Sequence, residues 1–366
     1  MERALDNSSP NYELPNANQL EISLFGPGYG ECLVVHYGNG LWFTVDSCLE
    51  DDRRTPSALA YLNRLGVNPA KSVTFNVITH PDGDHIGGIN TLFSACSSAR
   101  LVCPTVLTKK EMVSYNAYYS MTDPTPLTQT TREICDVLAL SFDRRPNTPL
   151  YVKQDTLIID EAGVRVTALA PSDTKIRRFL ARVSQQIPKE KSDRRAPGNL
   201  RPNDVSAALL LEIEGFSAVF GADLEETPGG GWTTILDTSI AFKNAVAPTA
   251  YKVAHHGSSN ADCPNLWHRM NDPIAVLAPF KLGSTKIPTR NDVDRILEHT
   301  NTAFSTSSFK TQTVKRLSRT DRILIGHGIR RQELYPKNGH IRLRVGVGST
   351  VKVDLFESAV HLSNVH

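Results

Sequence analysis

The sequence predicts an α/β protein in an αβ/βα arrangement. Two observations support this class: apolar segments of strand length alternate with segments of helical periodicity, and glycine-containing turns separate many of them. Apolar residues make up 40% of the 366 residues, which is enough for a sizeable buried core. The chain is long for a single core, although sandwich enzymes with insertions reach this size.

The first half of the chain is predicted to open with three short strands joined by glycine turns. Thr55-Pro56 marks a helix start, because proline is tolerated in the first helical turn, and Gly66 marks the stop. Strands are expected over 20–25, 32–36, 41–46, 73–78 and 101–107. Helices are expected over about 55–65, 88–95 and 131–140.

The second half is predicted to contain two hairpins and then further strands. The first hairpin turns around Glu161-Ala162-Gly163 and the second at Glu214-Gly215, where glycine eases the reversal. Strands are expected over 157–159, 164–169, 205–213, 216–221, 249–254 and 274–279. A helix is expected over 291–299, and a C-terminal hairpin over 341–345 and 351–356.

The most informative stretch follows the strand predicted over 73–78. The run from Thr79 to Gly88 places His80, Asp82, Asp84 and His85 within six residues. Imidazole and carboxylate at this spacing suit Zn²⁺ or another first-row divalent metal. The alternative is a polar turn with capping aspartates, but a strand that simply ended in a turn would not need four ligand-type side chains.

Two later strands also end on ligand-type residues. Asp223 closes the apolar run 218–222, and His255-His256 follow the run 251–254. Taken alone, Asp223 is compatible with a helix cap and the histidine pair with an ordinary loop. Together with the first motif they complete a two-metal site, in which a shared carboxylate bridges ions roughly 3.5–4 Å apart.

These motifs resemble those of the metallo-β-lactamase-fold hydrolases. The resemblance is greatest to the branch found as the soluble domain of the DNA-uptake channel protein ComEC, and it implies a four-layer αβ/βα sandwich with insertions. It covers roughly residues 20 to 285. The matching residues are Phe25-Gly26-Pro27-Gly28-Tyr29-Gly30-Glu31-Cys32, Phe43-Thr44-Val45-Asp46-Ser47, His80 to Gly88, Asn203-Asp204-Val205-Ser206, Gly221-Ala222-Asp223 and Lys252 to Ser258.

The resemblance implies a role for each matching residue. His80 and Asp82 would hold the first metal, with Asp82 standing where most of the superfamily has a histidine. Asp84 and His85 would hold the second metal, which His255 would complete, and Asp223 would bridge both. Catalysis would rest on Asp84 and Asp223. His256 would support these ligands or replace His255.

One feature departs from most of the superfamily. Between Ile86 and Ala254 the chain has no histidine, so the first metal site is rich in oxygen ligands. We therefore expect two divalent ions, Zn²⁺ or Mn²⁺, with Mg²⁺ as a further candidate. A hydroxide bridging the ions would attack a carbonyl or phosphoryl centre, because a divalent metal lowers the pKa of bound water to about 7.

Several residues near the motifs are candidates for supporting the ligands or contacting substrate. They are His256, Ser258, Asn203 and Asp204. For Ser258, ordinary turn chemistry is an equal alternative. We expect Lys252 to point away from the site, since side chains alternate along a strand.

The family resemblance also suggests how the chain divides into domains. We expect an N-terminal extension over 1–19, a metallo-β-lactamase-like domain over 20–300, and a C-terminal extension over 301–366 packed on it. Inserts are expected at about 109–150 and 172–202. The first carries Tyr115, Tyr118, Tyr119 and Met121, which form either an aromatic lid for bases or a small apolar contact.

The second insert is basic, and so is part of the C-terminal extension. These segments are candidates for binding nucleic acid, with a solvated loop as the alternative, and the extension is also a candidate for a protein partner. The basic residues are Lys175, Arg177, Arg178, Arg182, Lys189, Lys191, Arg194, Arg195, Arg201, Lys310, Lys315, Arg316, Arg319 and Arg322. The net charge of the whole chain is only +2, so no global attraction to nucleic acid follows.

Three classes of function fit these observations. The leading one is a metal-dependent phosphodiesterase or nuclease; the others are a hydrolase of a small carbonyl substrate, such as a lactone or thioester, and a non-catalytic regulatory module. Six scattered cysteines make a disulfide framework or a cysteine zinc site unexpected. Residues 1–19 lack the apolar core of a signal peptide, and no apolar run approaches about 20 residues, so we expect a cytoplasmic protein without a membrane partner.

Overall fold

The computed structural model describes residues 3–5, 11–26, 29–119, 126–144, 148–187, 200–270, 272–309, 338–346 and 350–366. The strands are β1 (Arg3–Leu5), β2 (Leu20–Gly26), β3 (Cys32–Gly38), β4 (Leu41–Val45), β5 (Val73–Val77), β6 (Arg100–Pro104), β7 (Leu150–Val152), β8 (Thr156–Glu161), β9 (Val164–Ala168), β10 (Leu209–Ile213), β11 (Phe216–Phe220), β12 (Ala250–Lys252), β13 (Ile274–Leu277), β14 (Phe280–Leu282), β15 (Thr285–Ile287), β16 (Ala303–Ser305), β17 (Gly339–Val345), β18 (Val351–Phe356) and β19 (Val360–His361).

The helices lie between these strands. They are α1 (Ser57–Arg64), α2 (Pro69–Ser72), α3 (Ile89–Ala95), α4 (Lys110–Tyr119), α5 (Pro126–Asp143), α6 (Asp173–Gln186), α7 (Gly231–Thr238), α8 (Ile240–Asn244), α9 (Pro264–Arg269) and α10 (Arg290–His299). Local signals set several of their starts. Ser172 caps α6 by accepting the Lys175 N–H, and Thr289 and Asp292 form a capping box on α10.

Two large mixed sheets form the body of the protein. The first has the order β1-β18-β17-β2-β3-β4-β5-β6-β7, and the second the order β19-β16-β13-β12-β11-β10-β9-β8. In the first sheet β4, β5, β6 and β7 are parallel; in the second, β11, β12, β13 and β16 are parallel. The antiparallel strands lie beside these parallel blocks.

The apolar side chains divide into three buried layers. A central layer joins the facing sides of both sheets, for example Phe43 with Leu209 and Phe220. A second layer packs α1, α3 and α4 on the outer face of the first sheet, and a third packs α7, α9 and α10 on the outer face of the second. The order helix, sheet, sheet, helix confirms the predicted α/β four-layer sandwich.

The parallel strands explain where polar loops can meet. Each parallel block brings the carboxyl ends of its strands to one edge of its sheet. The loops after β4 and β5 leave the first sheet at this edge, and those after β11 and β12 leave the second. These four loops carry Asp46, the run 79–88, Asp223 and the histidine pair at 255–256.

The structure moves several predicted boundaries. The strand predicted over 101–107 ends at Pro104, and a 3₁₀ turn over Thr105–Thr108 replaces its last residues. The strand predicted from 205 begins at Leu209, because Pro202–Val205 forms a 3₁₀ turn. The helix predicted over 131–140 is longer, spanning Pro126–Asp143.

The two inserts are largely helical within the described residues. The first contains α4 and α5, and Tyr115 and Tyr119 are buried in the outer core of the first sheet. The apolar-contact alternative therefore describes these two tyrosines better than an aromatic lid. The first half of the second insert is α6. Met121, Lys189, Lys191, Arg194, Arg195, Lys310, Lys315, Arg316, Arg319 and Arg322 lie outside the described residues.

Residues beyond 300 contribute strands to both sheets. β17 pairs with β2 from Gly339 opposite Gly26 to Val345 opposite Leu20, and with β18 on its other side, which confirms the predicted hairpin. β16 and β19 extend the second sheet. Across the described part of the chain, none of the helices combines the length and apolar character needed to cross a bilayer.

Candidate metal centre

The loop after β5 is held by backbone hydrogen bonds at both ends. Within it, Asp82 donates its N–H to the His80 carbonyl (3.1 Å) and His85 donates to the Asp82 carbonyl (3.1 Å). From the neighbouring loop, Ser47 donates its N–H to the His85 carbonyl (2.8 Å). This closed turn presents His80 and His85 on the same side, with ring centroids 4.3 Å apart.

Strained backbone accompanies the other ligand-type residues. Asp46, Ala222, His255 and His256 all have positive φ, at 61°, 44°, 47° and 54°. A non-glycine residue in such a conformation costs about 1–3 kcal/mol and persists only where surrounding contacts impose it. One such contact is the hydrogen bond from the His255 N–H to the Ala222 carbonyl (2.8 Å), which ties the two strained loops together.

A close backbone approach lets these two loops meet. A Cβ on Gly221 would lie 2.7 Å from the Ala254 Cβ and 2.8 Å from the Ala254 backbone nitrogen. Only glycine tolerates this spacing without a shift of the main chain. The approach brings Asp223, just after β11, next to the histidine pair that follows β12.

Four side chains converge where the loops meet. Ligand-type atoms of Asp84, His85, Asp223 and His256 all lie within 4.8 Å of one another, and all four residues are buried. Asp223 Oδ1 is 3.2 Å from His85 Nε2, and Asp223 Oδ2 is 3.6 Å from His256 Nε2. Asp84 Oδ2 is 3.2 Å from His256 Nε2. Asp223 thus presents one carboxylate oxygen to each histidine.

The hydrogen bonds on the far side of the rings assign the tautomers. His85 Nδ1 lies 2.8 Å from Asp46 Oδ2, and His256 Nδ1 lies 2.9 Å from the Ala278 carbonyl, so each Nδ1 is a donor. Thr79 Oγ1 donates to Asp46 Oδ2 and therefore accepts from His80 Nδ1 (2.9 Å). In the neutral form of each ring, Nε2 carries the free lone pair.

These lone pairs fit a divalent cation. His80 Nε2, His85 Nε2 and Asp223 Oδ1 are buried and make no hydrogen bond of good geometry within the described residues, although the last two atoms lie 3.2 Å apart as a charge contact. An unsatisfied buried polar atom costs about 1–3 kcal/mol, so their convergence needs an explanation. Coordination of a metal ion would satisfy them, and imidazole with carboxylate is the donor set that first-row divalent metals prefer.

Charge coupling within the cluster is strong. Burial would raise the pKa of Asp223, but His256 and His85 outweigh it and hold this pKa well below its usual range. Burial would lower the pKa of His256, but the Asp223 and Glu31 carboxylates raise it to about 10. Burial, with His85 close by, lowers the pKa of His80 to about 3. Without metal, the positive charges of protonated His85 and His256 offset the negative charges of the surrounding carboxylates.

Asp82 and His255 sit at the edge of this cluster. Asp82 is partly exposed, accepts the Gly83 N–H at Oδ1 (2.7 Å), and has a pKa raised by burial and by Asp84. His255 Nε2 is 3.8 Å from Asp223 Oδ2, and its side chain is 16% exposed. His256, at 2% exposure, reaches both Asp223 and Asp84, which makes it the alternative ligand that the sequence left open.

The remaining predicted residues surround the centre without joining it. Asn203 donates from Nδ2 to Glu225 Oε1 (3.1 Å) and lies 3.4 Å from His255 Nε2. Asp204 is engaged by the Lys175 and Arg182 side chains. Ser258 donates its backbone N–H to the His255 carbonyl (2.9 Å).

The structure adds residues that sequence reasoning did not assign. Asp46 and Thr79 orient the metal-motif histidines, and Ser206 Oγ accepts the Asp223 N–H (3.0 Å). Glu31 lies with one oxygen 3.4 Å from His256 Nδ1. Asp46, Glu31 and Ser206 all belong to the motifs that match the family. Their place in these motifs could have identified them as candidate site residues from the sequence.

The expectation for Lys252 was wrong. Its side chain is buried, contacts Glu31 Oε1 and donates from Nζ to the Ala222 carbonyl (3.1 Å). The strand alternates as expected, but Tyr251 takes the outer face, so Lys252 points between the sheets toward the centre. Burial would raise the pKa of Glu31; Lys252 and His256 outweigh this and lower it.

Comparisons with known proteins find metallo-β-lactamase-fold structures. A metallo-β-lactamase fold protein from Bacillus subtilis is 13% identical, over 64% of this chain and 69% of that one, with a TM-score of 0.32. A Cronobacter sakazakii metallo-β-lactamase is 15% identical over 62% and 70%, with a TM-score of 0.32. The diiron β-hydroxylase CmlA from Streptomyces venezuelae is 14% identical over 63% of this chain, which spans about a third (34%) of that chain, with a TM-score of 0.33.

No family model and no curated protein matches the chain. The TM-scores above lie below 0.5, so we draw no argument about activity from these structures. The centre itself is a buried His/Asp cluster able to hold a metal ion, at the carboxyl edge of two facing sheets.

Proposed function

We propose that this protein is a metal-dependent phosphodiesterase or nuclease of the ComEC-like branch, using Zn²⁺ or Mn²⁺. The observation that carries the proposal is the convergence of buried histidine Nε2 atoms with the buried Asp84 and Asp223 carboxylates. Hydrogen bonds at Nδ1 fix the orientation of the His85 and His256 rings. A non-catalytic module would have no need to retain this costly arrangement.

The residues divide into two adjoining ligand sets. His80, Asp82 and Asp223 would hold the first ion; Asp84, His85, Asp223 and His256 would hold the second. Asp223 would be shared by both sets: its oxygens face His85 and His256 of the second set, and it is also close enough to His80 of the first set for each to shift the other's pKa. Two such ions, when bound, activate water as a nucleophile and neutralise charge on the attacking and leaving oxygens of a phosphodiester.

The protein orients the ligand rings and places a further histidine beside them. Asp46 and Thr79 fix the tautomers of His80 and His85, and the Ala278 carbonyl fixes that of His256. His255 lies on the exposed side, with Nδ1 2.8 Å from Asn260 Oδ1. There its Nε2 lies 3.4 Å from Asn203 Nδ2 and 3.8 Å from Asp223 Oδ2, so it is placed to contact a substrate beside the ions.

Nucleic acid is the proposed substrate class. The branch resemblance and the basic inserts support it. The described part of α6 contributes less net charge than its sequence suggests, because the Asp204 carboxylate pairs with both Lys175 and Arg182. Much of the phosphate charge would therefore be neutralised by the metal ions.

The test is hydrolysis by the purified protein with Mn²⁺, Zn²⁺, Mg²⁺ or a chelator. Substrates are single- and double-stranded DNA, RNA, methyl p-nitrophenyl phosphate and an acyl lactone. We expect metal-dependent phosphodiester cleavage that Asp84→Ala and Asp223→Asn abolish while leaving the fold intact. Asp160→Asn, an exposed carboxylate paired with Arg165, is the matched control and should retain activity.

The outcomes separate the classes of function. Lactone cleavage without phosphodiester cleavage would contradict the proposal and favour a carbonyl hydrolase. Bound metal with no turnover of any substrate would favour a regulatory module. Phosphodiester turnover that persists in Asp84→Ala would contradict the assignment of that residue.

A further inference from the structure

A short hairpin stands beside the metal centre. β14 and β15 pair with Phe280 opposite Ile287, Lys281 opposite Lys286 and Leu282 opposite Thr285. Because residues opposite each other share a face, Phe280 and Leu282 lie on one face and the lysines on the other. The Phe280 face is directed toward the centre, since its ring contacts His256.

A row of rings leads from the cluster to solvent. The centroids of Phe280 and His256 are 5.3 Å apart, at an interplanar angle of 35°. The centroids of Tyr29 and Phe280 are 5.7 Å apart, at 43°. Tyr29 is 47% exposed, so its ring offers an open aromatic surface next to buried ligand residues.

Tyr29 also crosses the metal-motif loop. A Cβ built on Gly83 would lie 3.3 Å from the Tyr29 hydroxyl oxygen, which places this hydroxyl against the turn between Asp82 and Asp84. A neutral ring beside carboxylates offers a flat apolar surface without repelling a phosphodiester.

The position matters because two residues of the predicted lid do not face the site. Tyr115 and Tyr119 are buried in the core. Tyr29 and Phe280 instead lie beside the ligands, where the group flanking a reacting phosphate would have to sit. A nucleobase is the planar group attached at that distance in a nucleic acid, and base stacking on aromatic side chains is tolerant of sequence.

We propose that Tyr29 and Phe280 form a stacking platform for the base beside the scissile phosphodiester, so that the site acts on an unpaired strand. This inference rests on the proposed phosphodiesterase function. A base within a duplex is already stacked on its neighbours and is not available to the platform. The platform therefore predicts a preference for single-stranded nucleic acid.

The first experiment compares two esters with the same leaving group. Thymidine 5′-p-nitrophenyl phosphate carries a base; methyl p-nitrophenyl phosphate does not. We expect Tyr29→Ala to lower kcat/KM for the thymidine ester roughly 5- to 150-fold, the range of one base stack, with kcat/KM for the methyl ester unchanged. Tyr29→Phe keeps the ring and should restore the thymidine preference.

Phe142→Ala is the matched control, because Phe142 is a similarly exposed aromatic residue (52%) on α5. We expect it to behave as the wild type with both esters. If Tyr29→Ala changed both esters equally, or neither, the platform would be refuted. Equal cleavage of single- and double-stranded DNA would also refute it.

A binding measurement keeps the two proposals separable. Fluorescence anisotropy of labelled oligothymidine and of an abasic strand of equal length is measured for wild type and Tyr29→Ala, with and without divalent cation. We expect the wild type to prefer oligothymidine and the variant to lose this preference. If neither ester is cleaved with any metal, the proposed phosphodiesterase function is refuted. The platform is then supported if wild type binds oligothymidine more tightly than the abasic strand and Tyr29→Ala does not. It is refuted if the two proteins show the same preference.

Discussion

Replacing Lys252 tests the charge pair that lies beneath the metal centre. Lys252 and Glu31 are 2% and 3% exposed, and they line a small cavity of about 10 Å³ between the sheets. In Lys252→Met the aliphatic stem remains, but the Glu31 carboxylate loses its main counter-charge. Leaving one partner of a buried pair uncompensated costs about 3–5 kcal/mol, a large share of a domain stability of about 5–15 kcal/mol.

The double variant Glu31→Gln/Lys252→Met removes both charges. Its loss of stability should be smaller than that of Lys252→Met alone, since no unpaired charge stays buried. The exposed pair between Lys153 and Asp173 provides a matched control, and Lys153→Met should cost less than about 1 kcal/mol.

The assay is urea denaturation of the metal-free proteins, which yields the free energy of unfolding. Glu31 has a lowered pKa in the folded wild type, so its stabilising effect is present above its unfolded pKa and is lost as pH falls. The penalty of Lys252→Met should therefore shrink at acidic pH, where Glu31 can take up a proton. A loss below about 1 kcal/mol at neutral pH, or a double variant as unstable as the sum of the single variants, would refute the reasoning.

Three further predictions concern the centre and the loops that form it. His256→Asn should lose one of the two proposed ions, whereas His255→Asn should keep both and lose turnover; elemental analysis after dialysis distinguishes them, and the reverse pattern would reassign the ligand. Asp46→Asn should weaken metal affinity about 10- to 100-fold, measured by competition with a chromogenic chelator, and unchanged affinity would contradict its orienting role. Gly221→Ala should lower stability by about 1–3 kcal/mol in urea, because its Cβ would lie 2.7 Å from that of Ala254; unaltered stability would show that the loops adjust freely.

Local sequence patterns predicted most of the architecture. The strand predicted over 32–36 is β3, in which Leu33 and Val35 face the central core and Val34 faces the outer helices. The motif 79–88 could be recognised because its ligand-type residues are adjacent in the chain. Glycine turns located both central hairpins.

Boundaries were less predictable where tertiary contacts compete with local preference. Pro104 ends a strand that apolar content alone would extend, because the chain turns into a 3₁₀ segment there. The tyrosines of the first insert gave no sign of facing the core, since an aromatic residue suits a lid and a core equally well. Packing of α4 against the first sheet decided their position.

By itself, the sequence determined the α/β class, the strands that end at the centre, and the identity of His80, Asp84, His85 and Asp223 as residues that could meet. Tertiary structure decided which of His255 and His256 reaches the cluster: His256 Nε2 lies 3.2 Å from Asp84 and 3.6 Å from Asp223, whereas His255 Nε2 lies 3.8 Å from Asp223 and stays partly exposed. It also decided the pairing of Glu31 with Lys252. Glu31 directly precedes β3 of the first sheet and Lys252 ends β12 of the second, so only packing of the two sheets brings these distant charges into contact.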